Sequence, residues 1–123
     1  MQSILLYIGA GLTVIWGISH LIPTKGVVSE FGDISEENRH IITMEWIVEG
    51  ISLIFIGALV AVVTMIDPNA VVSQAVYILT TIGLLVLAVV SLFTGFKVKF
   101  LPFKLCPFIL TTSAALVLAS MLV

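Results

Sequence analysis

Residues 41–66 read IITMEWIVEGISLIFIGALVAVVTMI, an apolar stretch whose only charged side chains are Glu45 and Glu49. A helix rises about 1.5 Å per residue, so a helix over this stretch exceeds the roughly 30 Å thickness of a bilayer's hydrocarbon core. Because backbone polar groups must be paired within lipid, such a segment predicts a transmembrane helix. The fold class then depends on how many segments of this kind the chain contains.

Three further segments meet the same requirement, and we therefore predict an all-α polytopic membrane protein, a four-transmembrane-helix bundle in one domain. The predicted helices cover residues 3–22, 36–66, 70–95 and 105–123. Asp33 and Ser35 are the candidate N-caps of the second helix, which is expected to begin near residue 36 and to project beyond the membrane. The composition agrees, since 60% of the 123 residues are hydrophobic and 10% are charged, against about 25% charged in soluble domains.

The basic residues divide unequally between the two sides of such a bundle. Lys25 and Arg39 lie in the first connection, and Lys97, Lys99 and Lys104 lie in the third. In a four-helix chain these connections share a side, and the opposite side has no Lys or Arg. The positive-inside rule then predicts a cell-membrane protein with both termini extracytoplasmic. The first apolar segment lacks a basic n-region, so it is expected to be retained.

Composition also limits the partners. The net charge of −2 and the lack of a long Lys/Arg run argue against a nucleic-acid partner. Cys106 is the single cysteine, so neither an intrachain disulfide nor a CxxC motif exists, and we expect this residue to serve in helix packing. The expected partners are the lipid bilayer and either another membrane protein or further copies of this chain.

Each predicted helix carries one stripe of small or hydroxylated residues, the type that lets helices approach closely in lipid. We interpret these stripes as packing faces around a common axis. In chain order they are Gly9, Thr13 and Gly17; Gly50, Gly57 and Ala61; Ser73, Tyr77, Thr81, Ala88, Ser91 and Gly95; and Thr112, Ala115 and Ala119.

Ionisable residues within the spans are the candidate functional groups, because burying them in a membrane is costly. Glu45 and Glu49 are four residues apart, so the two carboxylates are expected to share one face of helix 2. Trp16 and His20 have the same spacing on helix 1. An antiparallel neighbour would then bring His20 near Glu45 and Trp16 near Glu49, forming a polar pocket with His40 at the entrance to helix 2.

Four kinds of chemistry suit this pocket. A His with two carboxylates can bind a metal, but three ligands at unenforced spacing do not define a metal site. A His/Glu pair can relay protons, for instance to a quinone, or couple proton movement to transport. Trp16 beside an acid can also hold a cationic ligand. In the purely structural alternative, Glu45 is hydrated, His20 caps helix 1, and Trp16 and Trp46 are interfacial belt aromatics.

The first half of the chain resembles the DoxX-like membrane proteins, a diverse family of small four-helix bundles. The matching stretches are Gly9-Ala-Gly11, Gly17-Ile-Ser-His20-Leu21, Phe31-Gly32 and Glu49-Gly50 through Gly57. The resemblance implies the same fold and an association with quinone-linked, sulfur or oxidative-stress redox partners. Family members more commonly carry Lys where this chain has His20, whereas Glu49 matches the family pattern.

Three functions remain under consideration. The first is a redox-associated subunit whose pocket of His20, Glu45 and Glu49 binds a quinone or a similar lipophilic molecule. The second is a proton-coupled small transporter, although transporters of the small-multidrug-resistance type place their essential Glu in helix 1, where this chain has none. The third is a non-catalytic assembly subunit, which the absence of a cofactor motif favours.

Overall fold

A computed structural model describes all 123 residues of the chain. Its helices are α1 (Gln2–Leu21), α2 (Thr24–Ser29), α3 (Glu36–Ile66), α4 (Val71–Gly95) and α5 (Leu101–Ser120), and there is no strand. Four of them, all except α2, are long and apolar enough to cross a membrane. The predicted all-α, four-helix fold is therefore confirmed.

The structure differs from the predicted helices at α2 and at the start of α5, and it confirms the start of α3. The short helix α2 was not predicted; it follows Pro23, and the Thr24 hydroxyl donates to the Leu21 carbonyl at 2.8 Å. α5 begins at Leu101 instead of residue 105, with Pro102 in its first turn, where a proline does not disturb the helix. α3 begins at Glu36 as expected, and Ser35 is its N-cap, accepting from the backbone N–H of Asn38 at 3.2 Å.

The spanning helices form an antiparallel bundle in the circular order α1, α3, α4, α5. α1 packs most closely on α3 and also on α5, and α4 packs on α5 and less extensively on α3. Both termini and the turn at Asp67 therefore lie at one end of the bundle, which we call the terminal end. The connections 22–35 and 96–100 lie at the other end, which we call the charged end.

Glycines set the distance between α1 and α3. A Cβ at Gly17 would lie 2.6 Å from the Gly50 carbonyl oxygen, and a Cβ at Gly57 would lie 2.6 Å from that of Ala10. No larger residue fits in such contacts without moving the backbone. The helices are thus in direct backbone contact, as the stripes on these two helices predicted.

The core between the helices has two layers. The middle of the bundle is filled by the apolar cluster of Leu53, Leu84, Ala88, Cys106, Leu110 and Ala114, which we call the leucine layer. The terminal end is filled by Leu6, Ala10, Val60, Tyr77 and Val117. Since each layer draws on at least three of the four spanning helices, the bundle is closed from its middle to its terminal end.

The packing face predicted for α5 was wrong. Thr112 and Ala115 are exposed on the outer surface. The buried face of α5 instead comprises Cys106, Pro107, Leu110, Ser113, Ala114, Val117 and Ser120. Neighbouring residues point about 100° apart around a helix, so Ser113 and Ala114 present a small-residue face beside the predicted one. Composition did not distinguish these two faces.

Candidate functional site

A cavity of about 420 Å³ lies between the leucine layer and the charged end of the bundle. All four spanning helices and α2 contribute to its wall. The lining residues are Trp16, Ser19, His20, Pro23, Val27, Trp46, Glu49, Leu53, Leu87, Val90, Ser91, Thr94, Gly95, Phe100, Pro102, Phe103, Leu105, Cys106 and Leu110. The volume is typical of sites for small organic ligands, as is a mostly apolar wall with a few convergent polar groups.

Of the neighbouring pairs of spanning helices, α3 and α4 pack least extensively on each other, and we infer that the cavity opens between them. His20 on α1 and Cys106 on α5 are buried in the cavity wall, whereas Glu49 on α3 and Val90 on α4 are exposed, as are Ser19 and Leu105. The hydrogen bonds that join α3 to α4 lie far from this point, between Thr64 and Tyr77 and from Ser73 to Val63. In a bilayer, such an opening between two spanning helices faces the lipid.

His20 is the most buried ionisable side chain of the site, with 6% of its side chain exposed. Its Nδ1 lies 2.8 Å from the Trp16 carbonyl oxygen. A carbonyl can only accept, so Nδ1 carries the hydrogen and donates it. Nε2 then faces the Glu49 Oε1 at 3.5 Å. With Nδ1 committed as a donor, Nε2 and the Glu49 carboxylate are the two groups of the pair between which a proton can be shared.

Glu49 reaches the cavity from α3. Its side chain is 47% exposed, and its carboxylate is directed at His20 instead of away from the bundle. The predicted meeting of His20 with a carboxylate of helix 2 is therefore present, but the partner is Glu49. Glu45 is exposed and does not line the cavity, so its predicted place beside His20 was wrong.

Trp46 occupies the position next to His20 that had been expected for Glu45. Its ring lies 4.7 Å from the His20 ring between centroids, and its Nε1–H donates to the His20 carbonyl. The side chain is buried, so the interpretation of Trp46 as an interfacial belt aromatic was wrong. Sequence reasoning assigned Trp46 from its depth alone; its spacing of three residues from Glu49 was the available sign that both face α1.

Trp16 lines the cavity as predicted, but its polar contact is with Cys106. The Trp16 Nε1–H donates to the Cys106 Sγ at 3.4 Å, and the Ser91 hydroxyl donates to the same sulfur at 3.4 Å. Cys106 is buried in the leucine layer and also lines the cavity. The thiol is therefore both a packing residue, as expected, and a wall of the site, which the sequence did not indicate.

The remaining candidate lies outside the site. His40 is exposed near the start of α3, where its Nε2 lies 3.8 Å from the Glu36 Oε1. This is a solvent-exposed pair one helical turn apart, so the proposed role of His40 at the pocket was wrong. The structure contains no group of three His, Cys, Asp or Glu side chains placed to hold a metal ion.

Two glycines position the functional side chains. A Cβ at Gly50 would lie 2.9 Å from the Gly17 carbonyl oxygen and 3.1 Å from the His20 Cβ, so Gly50 allows His20 to approach α3.

Pro107 inside α5 has no N–H to donate to the Phe103 carbonyl. A Cβ at Gly95 would lie 2.7 Å from that carbonyl oxygen, so Gly95 leaves room for it at the cavity wall.

Comparisons with protein-family models, curated proteins and solved structures return no significant match to the chain. The resemblance to DoxX-like proteins therefore stays a prediction that rests on the short stretches around Gly17 and Glu49.

Proposed function

We propose that this protein binds a neutral lipophilic ring compound with hydrogen-bonding oxygens, a quinone, in the cavity at the charged end, as a subunit of a redox-linked membrane system. The observation that carries the proposal is the His20–Glu49 pair on the wall of a cavity that opens to lipid. A quinone partitions into the bilayer and can reach such an opening laterally. Its carbonyl oxygens accept hydrogen bonds, and a proton held by the His20–Glu49 pair is the donor that we propose for one of them.

The shape of the cavity supports a planar ring. The aromatic side chains Trp16, Trp46, Phe100 and Phe103 line it together with aliphatic residues of α3, α4 and α5. Aromatic walls favour flat apolar ligands through stacking contacts. The only ionisable groups in the lining, apart from the Cys106 thiol, are His20 and Glu49. The polar head of the ligand is therefore expected at this pair, with the apolar tail extending toward the opening between α3 and α4.

The test uses intrinsic fluorescence, because both tryptophans of the chain line the cavity. A short-chain benzoquinone is titrated into the protein in phosphatidylcholine nanodiscs, and the quenching of tryptophan emission is measured. We expect a saturable phase in the wild type. In Glu49→Gln the apparent Kd should rise about tenfold or more, since hydrogen bonds that involve charged groups are worth about 1.5–3 kcal/mol.

Glu45→Gln is the matched control, because it makes the same change one turn away on an exposed position. It should leave the saturable phase unchanged. Equal Kd values for the wild type and Glu49→Gln, or quenching that never saturates, would contradict the proposal.

We further propose that the charged end faces the cytoplasm, which follows from the positive-inside rule applied to its five basic residues. A reporter enzyme that is active only outside the cytoplasm should be active when fused after Val123. The same reporter placed in the connection 96–100 should be inactive, and the reverse pattern would show the opposite orientation.

The leucine layer favours a second candidate, proton-coupled transport. It closes the bundle below the cavity, so a ligand at Glu49 has access from one side of that layer only, as alternating access requires. Proton-driven efflux of a lipophilic cation from liposomes, lost in Glu49→Gln, would favour this function over quinone binding. Absence of efflux by the wild type would exclude transport of that cation.

A further inference from the structure

The connection between α4 and α5 is the one strongly basic surface of the molecule. Residues 68–123 contain Lys97, Lys99 and Lys104 and no Asp, Glu, Arg or His. Lys97 and Lys99 lie in the connection, and Lys104 lies in the first turn of α5. None of the three makes an ion pair, since the only salt bridges of the structure are His20–Glu49 and His40–Glu36. We call these three residues the lysine cluster.

The first connection, at the same end, is different in kind. Lys25 in this connection and Arg39 in the first turns of α3 are accompanied by four acids, Glu30, Asp33, Glu36 and Glu37, so the net charge of this region is −2. The positive-inside rule accounts for basic residues at this end of the bundle, but it does not account for their separation from the acids. The separation leaves one connection with a net positive charge next to the cavity.

The start of α5 adds to this positive charge. No side chain caps the α5 N-terminus, whose N-cap is Phe100. The free N–H groups of a helix N-terminus carry partial positive charge. In α5, Pro102 has no N–H and the Phe103 N–H donates to the Phe100 carbonyl at 3.2 Å, so the contribution of this first turn is the Leu101 N–H and the helix dipole. A lysine in the first turn is unfavourable in that field, and an anion beside it would offset the repulsion. The lysine cluster and the α5 N-terminus thus attract the same kind of ligand.

The flanking side chains place this ligand at the membrane surface. Phe93, Phe96, Phe100 and Leu101 are exposed around the cluster, where aromatic rings sit at headgroup level and aliphatic side chains contact acyl chains. An anionic group bound here would therefore carry an apolar tail alongside exposed phenylalanines. That combination describes an anionic phospholipid.

We propose that the lysine cluster and the α5 N-terminus form a binding site for the headgroup of an anionic phospholipid. This site is separate from the site proposed in the cavity, although Phe100, Pro102 and Phe103 belong to both the lysine-bearing segment 96–104 and the cavity wall. A lipid bound there would stabilise this segment, which forms one side of the cavity.

The test is native mass spectrometry of the full chain in detergent micelles, which does not depend on membrane orientation. The protein is equilibrated with equimolar phosphatidylglycerol and phosphatidylcholine, and the ratio of the two lipid adducts is measured. The wild type should prefer phosphatidylglycerol, and the preference should fall as ionic strength rises. The variant K97Q/K99Q/K104Q should lose at least tenfold of that preference, because each lysine near anionic lipid contributes about fivefold.

Two variants serve as controls. K97R/K99R/K104R keeps the charges and should keep the preference, and K25Q removes one positive charge from the acidic connection and should change the ratio less than twofold. The proposal is wrong if the triple glutamine variant retains the wild-type ratio, or if K25Q lowers it equally. It is also wrong if the wild type shows no phosphatidylglycerol preference. If the wild type instead forms a dimer that is lost in the triple glutamine variant, the acidic connection of a second copy occupies the cluster.

Discussion

The charged half and the terminal half of the bundle use polar residues in different ways. In the terminal half the buried polar groups are hydroxyls. Thr13 and Thr64 donate to carbonyls four residues earlier on their own helices, and the hydroxyls of Ser73 and Tyr77 bond to α3. In the charged half, Trp46 donates to a carbonyl of another helix, and His20 faces the carboxylate of Glu49 across the same pair of helices. A hydroxyl can form a hydrogen bond within its own helix, whereas an ionisable group in lipid needs a partner on another helix.

This difference explains why the candidate site lies where it does. Hydroxyls that bond to their own helix leave the helices free to close, and the terminal half is filled by side chains such as Tyr77 and Leu6 that have no exposed surface. The His20–Glu49 pair instead requires close contact of α1 with α3, whereas α3 and α4 pack less extensively on each other. The cavity lies beside the pair, with residues of all four spanning helices in its wall.

The largest effect on stability should come from a substitution in the leucine layer, which divides the two halves. Leu110→Ala removes a side chain with 1% exposure, and creating a cavity of this kind costs about 2–5 kcal/mol. We expect this loss in the free energy of unfolding by sodium dodecyl sulfate titration in mixed micelles. Leu118→Ala on the lipid-facing side of the same helix should change it by less than about 0.5 kcal/mol; equal losses would mean that the layer does not hold the halves together.

An intermediate effect should come from the glycine contact that brings His20 to Glu49. Gly17→Ala forces a Cβ against the Gly50 carbonyl oxygen, and overpacking of this kind costs about 1–3 kcal/mol. It should also abolish the saturable quenching phase, because α1 and α3 must separate at the site. Gly11→Ala, where an added Cβ meets nothing within 4 Å, should preserve both stability and quenching. If Gly17→Ala binds normally, the helix contact does not position the pair.

The smallest effect should come from a hydrogen bond of the terminal half. The Tyr77 hydroxyl lies 2.9 Å from the Thr64 Oγ1, and such bonds between transmembrane helices contribute about 0.6 kcal/mol on average. Tyr77→Phe should lower the free energy of unfolding by about that amount and leave quinone quenching unchanged. Tyr7→Phe, at an exposed position, provides the reference. A change in the quenching Kd in Tyr77→Phe would show that the halves are coupled across the leucine layer.

The candidate site was predicted in outline but not in its contacts. His20, Trp16 and Glu49 were expected to share a pocket between helices 1 and 2, and all three line one cavity. Glu45 and His40 were wrongly included, and Trp46 and Cys106 were assigned other roles. At about 100° per residue, Glu45 lies roughly 40° to one side of Glu49 and Trp46 roughly 60° to the other, so spacing alone does not decide which of them points at α1.

By itself, the sequence determined the number of spanning helices, the ends of α3 to within a residue, and the confinement of the basic residues to one end of the bundle. These features follow from hydropathy, capping and the cost of burying charge, which act along the chain and need no knowledge of neighbours. Only the tertiary structure decided which carboxylate meets His20, which face of α5 is buried, and that a cavity remains between the helices at the charged end. Those outcomes depend on how the four helices pack against one another. In lipid, contacts between small residues of neighbouring helices set the rotation of each helix about its own axis, and one helix alone does not determine them.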